Sequence, residues 1–157
     1  MISFREMYSK IAVFGNRLQS PLLLLIRLYW GGSFFLTGFG KFTHMGNVVT
    51  YFQSLGIPFA HFSAFLTALV ETVGGACLFL GLFSRLASIP LICVMIVAFA
   101  TAESAAVRMI LSNSQNFIHS TPFSFLFASL LVFVFGPGRI SIDSRLLDKK
   151  QSRFNRQ

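Results

Sequence analysis

Four long apolar runs separated by short polar stretches dominate the chain. The clearest, Phe59 to Phe83, carries Glu71 as its only formal charge. A helix of about 20 mostly apolar residues crosses the hydrocarbon of a bilayer. A carboxylate facing lipid near the middle of such a helix would cost about 3 kcal/mol or more. Glu71 is therefore expected to face protein or water. At 3.6 residues per turn Ser63, Thr67, Glu71 and Gly74 or Gly75 share one stripe, small and polar on an otherwise apolar cylinder. The other elements are expected to pack against it.

The first run, Pro21 to Lys41, places Arg27, Gly31, Gly38 and Lys41 within about 40° of one another at helical periodicity. Two cations separated by glycines form a groove that a neighbouring backbone can approach closely, and a cation there is placed to meet Glu71. Snorkelling of Arg27 to headgroups and interfacial anchoring by Lys41 are the structural alternatives, and the pattern leaves the choice open. Residues 42 to 58 are too short and polar to cross. Val48, Val49, Phe52 and Leu55 recur at helical spacing before Gly56 and Pro58, which predicts a short interfacial helix. His44 there reads as a solvated loop histidine. The third run, Leu86 to Val107, carries Pro90 in its first turns and Glu103 at its far end. The fourth, Ile118 to Gly136, offers Thr121, Ser124, Ala128 and Ser129 to the bundle interior, has His119 at its outer end, and stops at Gly136-Pro137-Gly138. Residues 2 to 18 suit either a short helix lying at the interface or a frayed basic tail, with Pro21 in the first turn of the span.

These elements predict an all-α polytopic membrane protein, a four-helix transmembrane bundle with a short interfacial helix between spans one and two. The chain divides into three segments: a basic amphipathic stretch at 1–20, the transmembrane domain at 21–138 and a basic tail at 139–157. Composition agrees, with 54% hydrophobic residues, only 11% charged and a mean hydropathy of +0.69, against about 25% charged in soluble domains. The net charge of +8 sits largely at the two ends: three basic residues precede the first span and six come after Gly136. That asymmetry favours contact with the lipid bilayer over nucleic acid, and predicts four crossings with both termini cytoplasmic. Cys77 and Cys93 lie in apolar runs without CxxC spacing or neighbouring His or Asp, so no metal site is expected.

The order RLYWGGSFFLTGFGK, then GIP before ALVETVGGACLFLGLFSR, then GPGRISID after the fourth span, resembles the DoxX family of small bacterial four-helix membrane proteins. The resemblance covers about residues 20 to 145. Its matching positions are Arg27, Gly38, Lys41, Glu71, Gly74, Gly75, Arg85, Gly136, Pro137, Gly138, Ser141 and Asp143. It implies an inner-membrane component of a quinone-linked or thiol and oxidative-stress oxidoreductase system. No covalent cofactor is expected, because the chain has no CxxC, no paired histidines and no glycine-rich dinucleotide loop. A quinone needs only an apolar slot and one or two hydrogen-bonding groups. The candidate site is thus a groove of Arg27, Gly31, Gly38, Lys41, Glu71 and Gly74, with Glu71 exchanging protons and Arg27 or Lys41 steadying negative charge on the ring. A soluble or membrane redox partner and homo-oligomerisation are the expected associations. Two other readings fit the same residues: a small transporter or channel subunit whose charges line a solute path, and a non-catalytic membrane scaffold for a soluble redox enzyme.

Overall fold

The computed structural model describes residues 4–104, 107, 118 and 120–144; of residues 4–6, 11 and 12 only the backbone is described. The polar connection at 108–117, His119 and the tail from residue 145 lie outside this set. All regular elements among the described residues are helices: α1 (Phe4–Ile26), a π-helical turn (Arg27–Gly31), α2 (Gly32–Thr43), α3 (Met45–Ser54), α4 (Ala60–Leu80), α5 (Ser84–Thr101) and α6 (Thr121–Phe135). Among the described residues three helical stretches are long and apolar enough to cross a membrane, Met7–Thr43, Ala60–Leu80 and Ser84–Thr101, and α6 is a shorter apolar helix. α3 is the expected short helix between spans one and two.

The first span departs from expectation at its start. Instead of beginning at Pro21, α1 runs through it from Phe4. Proline deletes one backbone hydrogen bond but holds a helical φ, and Pro21 is exposed, so the helix continues at the loss of that bond. The π turn at Arg27–Gly31 buries both of its end residues. An extra residue in one turn rotates the rest of the helix about its axis, and turns of this kind concentrate where a side chain must be re-aimed.

α2 and α4 pack antiparallel with backbone nearly touching backbone. A Cβ built on Gly31 would lie 2.6 Å from the Phe79 nitrogen, one on Gly38 2.5 Å from the Thr72 nitrogen, and one on Gly75 2.5 Å from the Phe35 nitrogen. The inward face of α4 is Ala60, Ala64, Ala68, Glu71, Gly74, Gly75 and Leu78, whereas Ser63 and Thr67, expected on the central stripe, sit half-buried at its edge. Alanine lets α2 and α3 approach. The hydroxyls turn instead to the side where space remains. Gly74 faces α5, where a Cβ would meet the Leu91 side chain at 2.9 Å.

Phe34, Leu78, Leu91, Met95, Phe125 and Val132 form the main core. Phe125 of α6 lies edge-on to Phe34 at 4.4 Å and to Trp30 at 5.2 Å, a geometry that aligns a positive ring edge with a negative face. Ala128 and Ser129 are interior as expected, while Thr121 is exposed. The buried Ser129 hydroxyl is satisfied by the Phe125 carbonyl of its own helix at 2.9 Å, a local bond that removes the cost of burying it.

The turn from α4 to α5 is tied to the segment after α6. Gly81 ends α4 at φ 71° and Phe83 sits two residues on at φ 48°, a left-handed conformation unfavourable for a phenylalanine. The Asp143 carboxylate accepts hydrogen bonds from the Phe83 and Ser84 amides at 2.8 and 3.0 Å, and its own amide donates to the Gly81 carbonyl at 3.0 Å. Asp143 thus caps α5 from 59 residues away and holds the strained turn. Asp143→Ala is expected to lower stability by about 1–2 kcal/mol, as loss of an N-cap does. Thermal unfolding in detergent measures this, and an unchanged Tm would contradict it.

Candidate functional site

The antiparallel register of α2 on α4 decides which charges meet. Gly81 lies level with Arg27, Phe79 with Gly31, Thr72 with Gly38, and Glu71 with Lys41. Arg27 and Lys41 are about 20 Å apart along their helix and so occupy opposite ends of the contact. Lys41 pairs with Glu71 through Nζ and Oε2. The Thr37 hydroxyl, one turn earlier, also faces the carboxyl. Glu71 is 3% exposed and Lys41 27%. The carboxylate is therefore the sheltered partner, and the ammonium reaches outward.

Arg27 is 1% exposed and serves a different place. Its Nη2 donates to the Ile140 carbonyl at 2.7 Å, while Nε and Nη1 find no acceptor among the described protein groups. Asp143 supplies the facing negative charge. Arg27 thereby fastens the segment after α6 to the first span.

The expected groove of Arg27, Gly31, Gly38, Lys41, Glu71 and Gly74 is consequently not one open space. Gly31 and Gly38 are filled by the backbone of α4, Gly74 by Leu91, and Arg27 lies at the far end. Lys41 and Glu71 do border a cavity, on the other side of α4, of about 900 Å³. α3 contributes Asn47, Val48, Tyr51 and Phe52, with Leu55 just beyond its end; α4 contributes Ser63, Leu66, Thr67 and Val70, and α5 contributes Ile89, Cys93, Val94, Val97, Ala98 and Thr101. The walls are mainly aliphatic and aromatic, with the Lys41 ammonium, the Glu71 carboxylate, the Asn47 amide and the hydroxyls of Tyr51, Ser63, Thr67 and Thr101 among them. This is the usual pattern of a small-molecule site, in which a few polar groups orient an apolar ligand.

Sequence periodicity singles out Val48, Val49, Phe52 and Leu55 as one face of the short helix; Val48, Phe52 and Leu55 line the cavity, whereas Val49 is buried against Ala60 and Ala64 of α4. Periodicity does not reveal the α5 wall, because α5 is apolar all round and offers no polar stripe. Cys93 lines the cavity and Cys77 does not; both are free thiols. His44 is exposed, with Nδ1 3.2 Å from the Gly40 carbonyl, and Glu103 lies beyond the end of α5, outside the cavity lining. Among the described residues no cluster of three or more His, Cys, Asp or Glu is placed to hold a metal ion.

The family model described as DoxX matches residues 22–104, a stretch that contains the π turn, the Lys41–Glu71 pair and every wall of the cavity. The chain belongs to the DoxX family. A DoxX relative from Mycobacterium tuberculosis, an uncharacterized membrane protein, is 32% identical over 133 residues, covering 80% of this chain and 82% of the relative. A Bacillus subtilis protein named "Putative oxidoreductase CatD" is 34% identical over 83 residues, or 53% of this chain and 60% of that protein. No solved structure matches this DoxX chain.

Proposed function

We propose that this DoxX protein is an inner-membrane component of an oxidoreductase system that binds a quinone in the cavity beside Lys41 and Glu71. The observation that carries the reading is a sheltered carboxylate, 3% exposed and paired with a lysine, at the wall of a largely apolar cavity of about 900 Å³. The likeness to the relative named "Putative oxidoreductase CatD" supports the reaction class. The basic residues concentrated at both ends of the chain support cytoplasmic termini, by the excess of Lys and Arg in cytoplasmic segments.

The donor set suits a quinone. Its ring and isoprenoid tail match the walls supplied by α3 and α5, and a ring carbonyl can accept a hydrogen bond from Lys41 Nζ or the Tyr51 hydroxyl. A quinone supplies two-electron chemistry in which its two carbonyl oxygens gain two protons, with electrons coming from the redox group of a partner protein. Lys41 steadies negative charge at a ring oxygen. Glu71, alternately protonated and ionised, passes protons to and from the same place.

The test uses the full chain in nanodiscs equilibrated with a short-tailed benzoquinone or naphthoquinone. Wild type is expected to bind saturably with one site per chain. Glu71→Gln, which removes the charge but little volume, is expected to weaken binding about tenfold. Ala98→Phe, which fills the cavity away from the ion pair, is expected to abolish it. Equal binding by wild type and Ala98→Phe would overturn the assignment.

A further inference from the structure

A second cavity lies at the end of the bundle where α4 finishes and α5 begins. Its volume is about 980 Å³. It is an open crevice lined by α1, the start of α5, the last turn of α6 and residues of the segment Gly136–Ser144. Three arginines far apart in sequence converge on it: Arg17 from α1, Arg85 from α5 and Arg139 from the segment after α6. All three are exposed, and none forms a salt bridge among the described residues. Asp143 is the carboxylate in the lining, and its two oxygens are already taken by the Phe83 and Ser84 amides. The cavity therefore presents three cations against one committed anion.

Asn16, Gln19, Ser20 and Ser144 add neutral polar groups beside the arginines, and the apolar part of the wall comes from side chains such as Leu23, Leu86 and Phe135. Leu23 is buried, whereas Leu86 of α5 and Phe135 of α6 are 67% and 53% exposed. A basic rim above an apolar wall, at the level where several spans end, matches an amphiphile with a negative head. We propose that this crevice binds an anionic glycerophospholipid, its phosphate held by Arg17, Arg85 and Arg139 and its acyl chains lying along Leu86 and Phe135.

The geometry sets the division of labour among the arginines. Arg85 Nη2 donates to the Val134 carbonyl at 3.3 Å, which fixes its guanidinium across the end of α6 with donors to spare. Arg139 is positioned by its backbone, whose amide donates to Ser20 Oγ at 2.9 Å. The α5 N-terminus does not contribute, because its first amides are occupied by Asp143. Recognition thus rests on guanidinium groups, which bind phosphate oxygens through paired N–H donors.

Native mass spectrometry of the full chain, titrated with phosphatidylglycerol or phosphatidylcholine, tests the site. Phosphatidylglycerol is expected to bind at least tenfold more tightly than phosphatidylcholine. Arg17→Gln and Arg139→Gln, whose side chains make no hydrogen bond to the rest of the fold among the described residues, should each weaken it about fivefold, near what one basic residue contributes at an anionic surface. Lys10→Gln, exposed but outside the crevice, should leave it unchanged. Equal affinity for the two lipids, or equal loss with Lys10→Gln, would overturn the proposal by reducing it to general surface charge. Displacement of the lipid by millimolar inorganic phosphate would overturn it in favour of a soluble anion.

Discussion

Lys41→Met is expected to destabilise the folded chain by about 3 kcal/mol, and Lys41→Met combined with Glu71→Leu to recover most of that loss. The single change leaves a carboxylate that is 3% exposed without its counter-charge, and breaking a buried ion pair on one side typically costs about 3–5 kcal/mol. Replacing both partners with apolar groups removes the unpaired charge and is often nearly neutral. Unfolding in mixed detergent micelles reads the stability, and the double-mutant cycle isolates the coupling. Additive losses in the double variant would contradict the pairing. The cycle also separates structure from function: the double variant should regain stability and yet fail to bind quinone, because the polar groups that orient the ring are gone. If it binds as wild type does, the pair serves only to fix the register of α2 on α4.

Gly38→Ala and Gly75→Ala are expected to be the most damaging small substitutions in the chain, at about 1–3 kcal/mol each, the range for overpacking a tight interface. In each case the new methyl would lie 2.5 Å from a backbone nitrogen of the facing helix. Backbone cannot swing aside as a side-chain tip can, so α2 and α4 must separate. Their separation would move Lys41 away from Glu71, and quinone binding should fall with stability. Gly40→Ala is the control. Its Cβ would meet nothing within 4 Å, and alanine is a better helix former than glycine by up to about 1 kcal/mol, so this variant should be as stable as wild type or slightly more so.

Much of the fold is legible from residue pattern because a bilayer constrains it strongly. The apolar runs correspond to the helices, the spacing of Val48, Val49, Phe52 and Leu55 to α3 and its end, and the glycines at 31 and 38 do admit a neighbouring backbone. Periodicity assigns a residue to a face, but it does not say which residue on the next helix lies opposite. Counting along the spans puts Lys41 in the same half of the bundle as Glu71 and Arg27 in the other, but shared depth does not establish contact. The antiparallel register, with Gly81 level with Arg27, decides between them. The continuous helix through Pro21 is hidden because proline is equally at home in a first turn. The role of Asp143 is hidden by its distance along the chain from the turn it caps. The cavity itself depends on three helices, of which α5 carries no periodic signal, so it becomes visible only with the packing.

Photoaffinity labelling of the full chain in membranes with an azidoquinone, mapped to peptides, tests most directly whether the space between α3, α4 and α5 receives a quinone ring. The expected label falls on the cavity walls, on α4 around Thr67 and Val70 and on α5 around Val94 and Ala98, and excess unmodified quinone suppresses it. Labelling confined to outward-facing positions such as Phe62 and Val73, or undiminished by competitor, would contradict a quinone site beside Lys41 and Glu71.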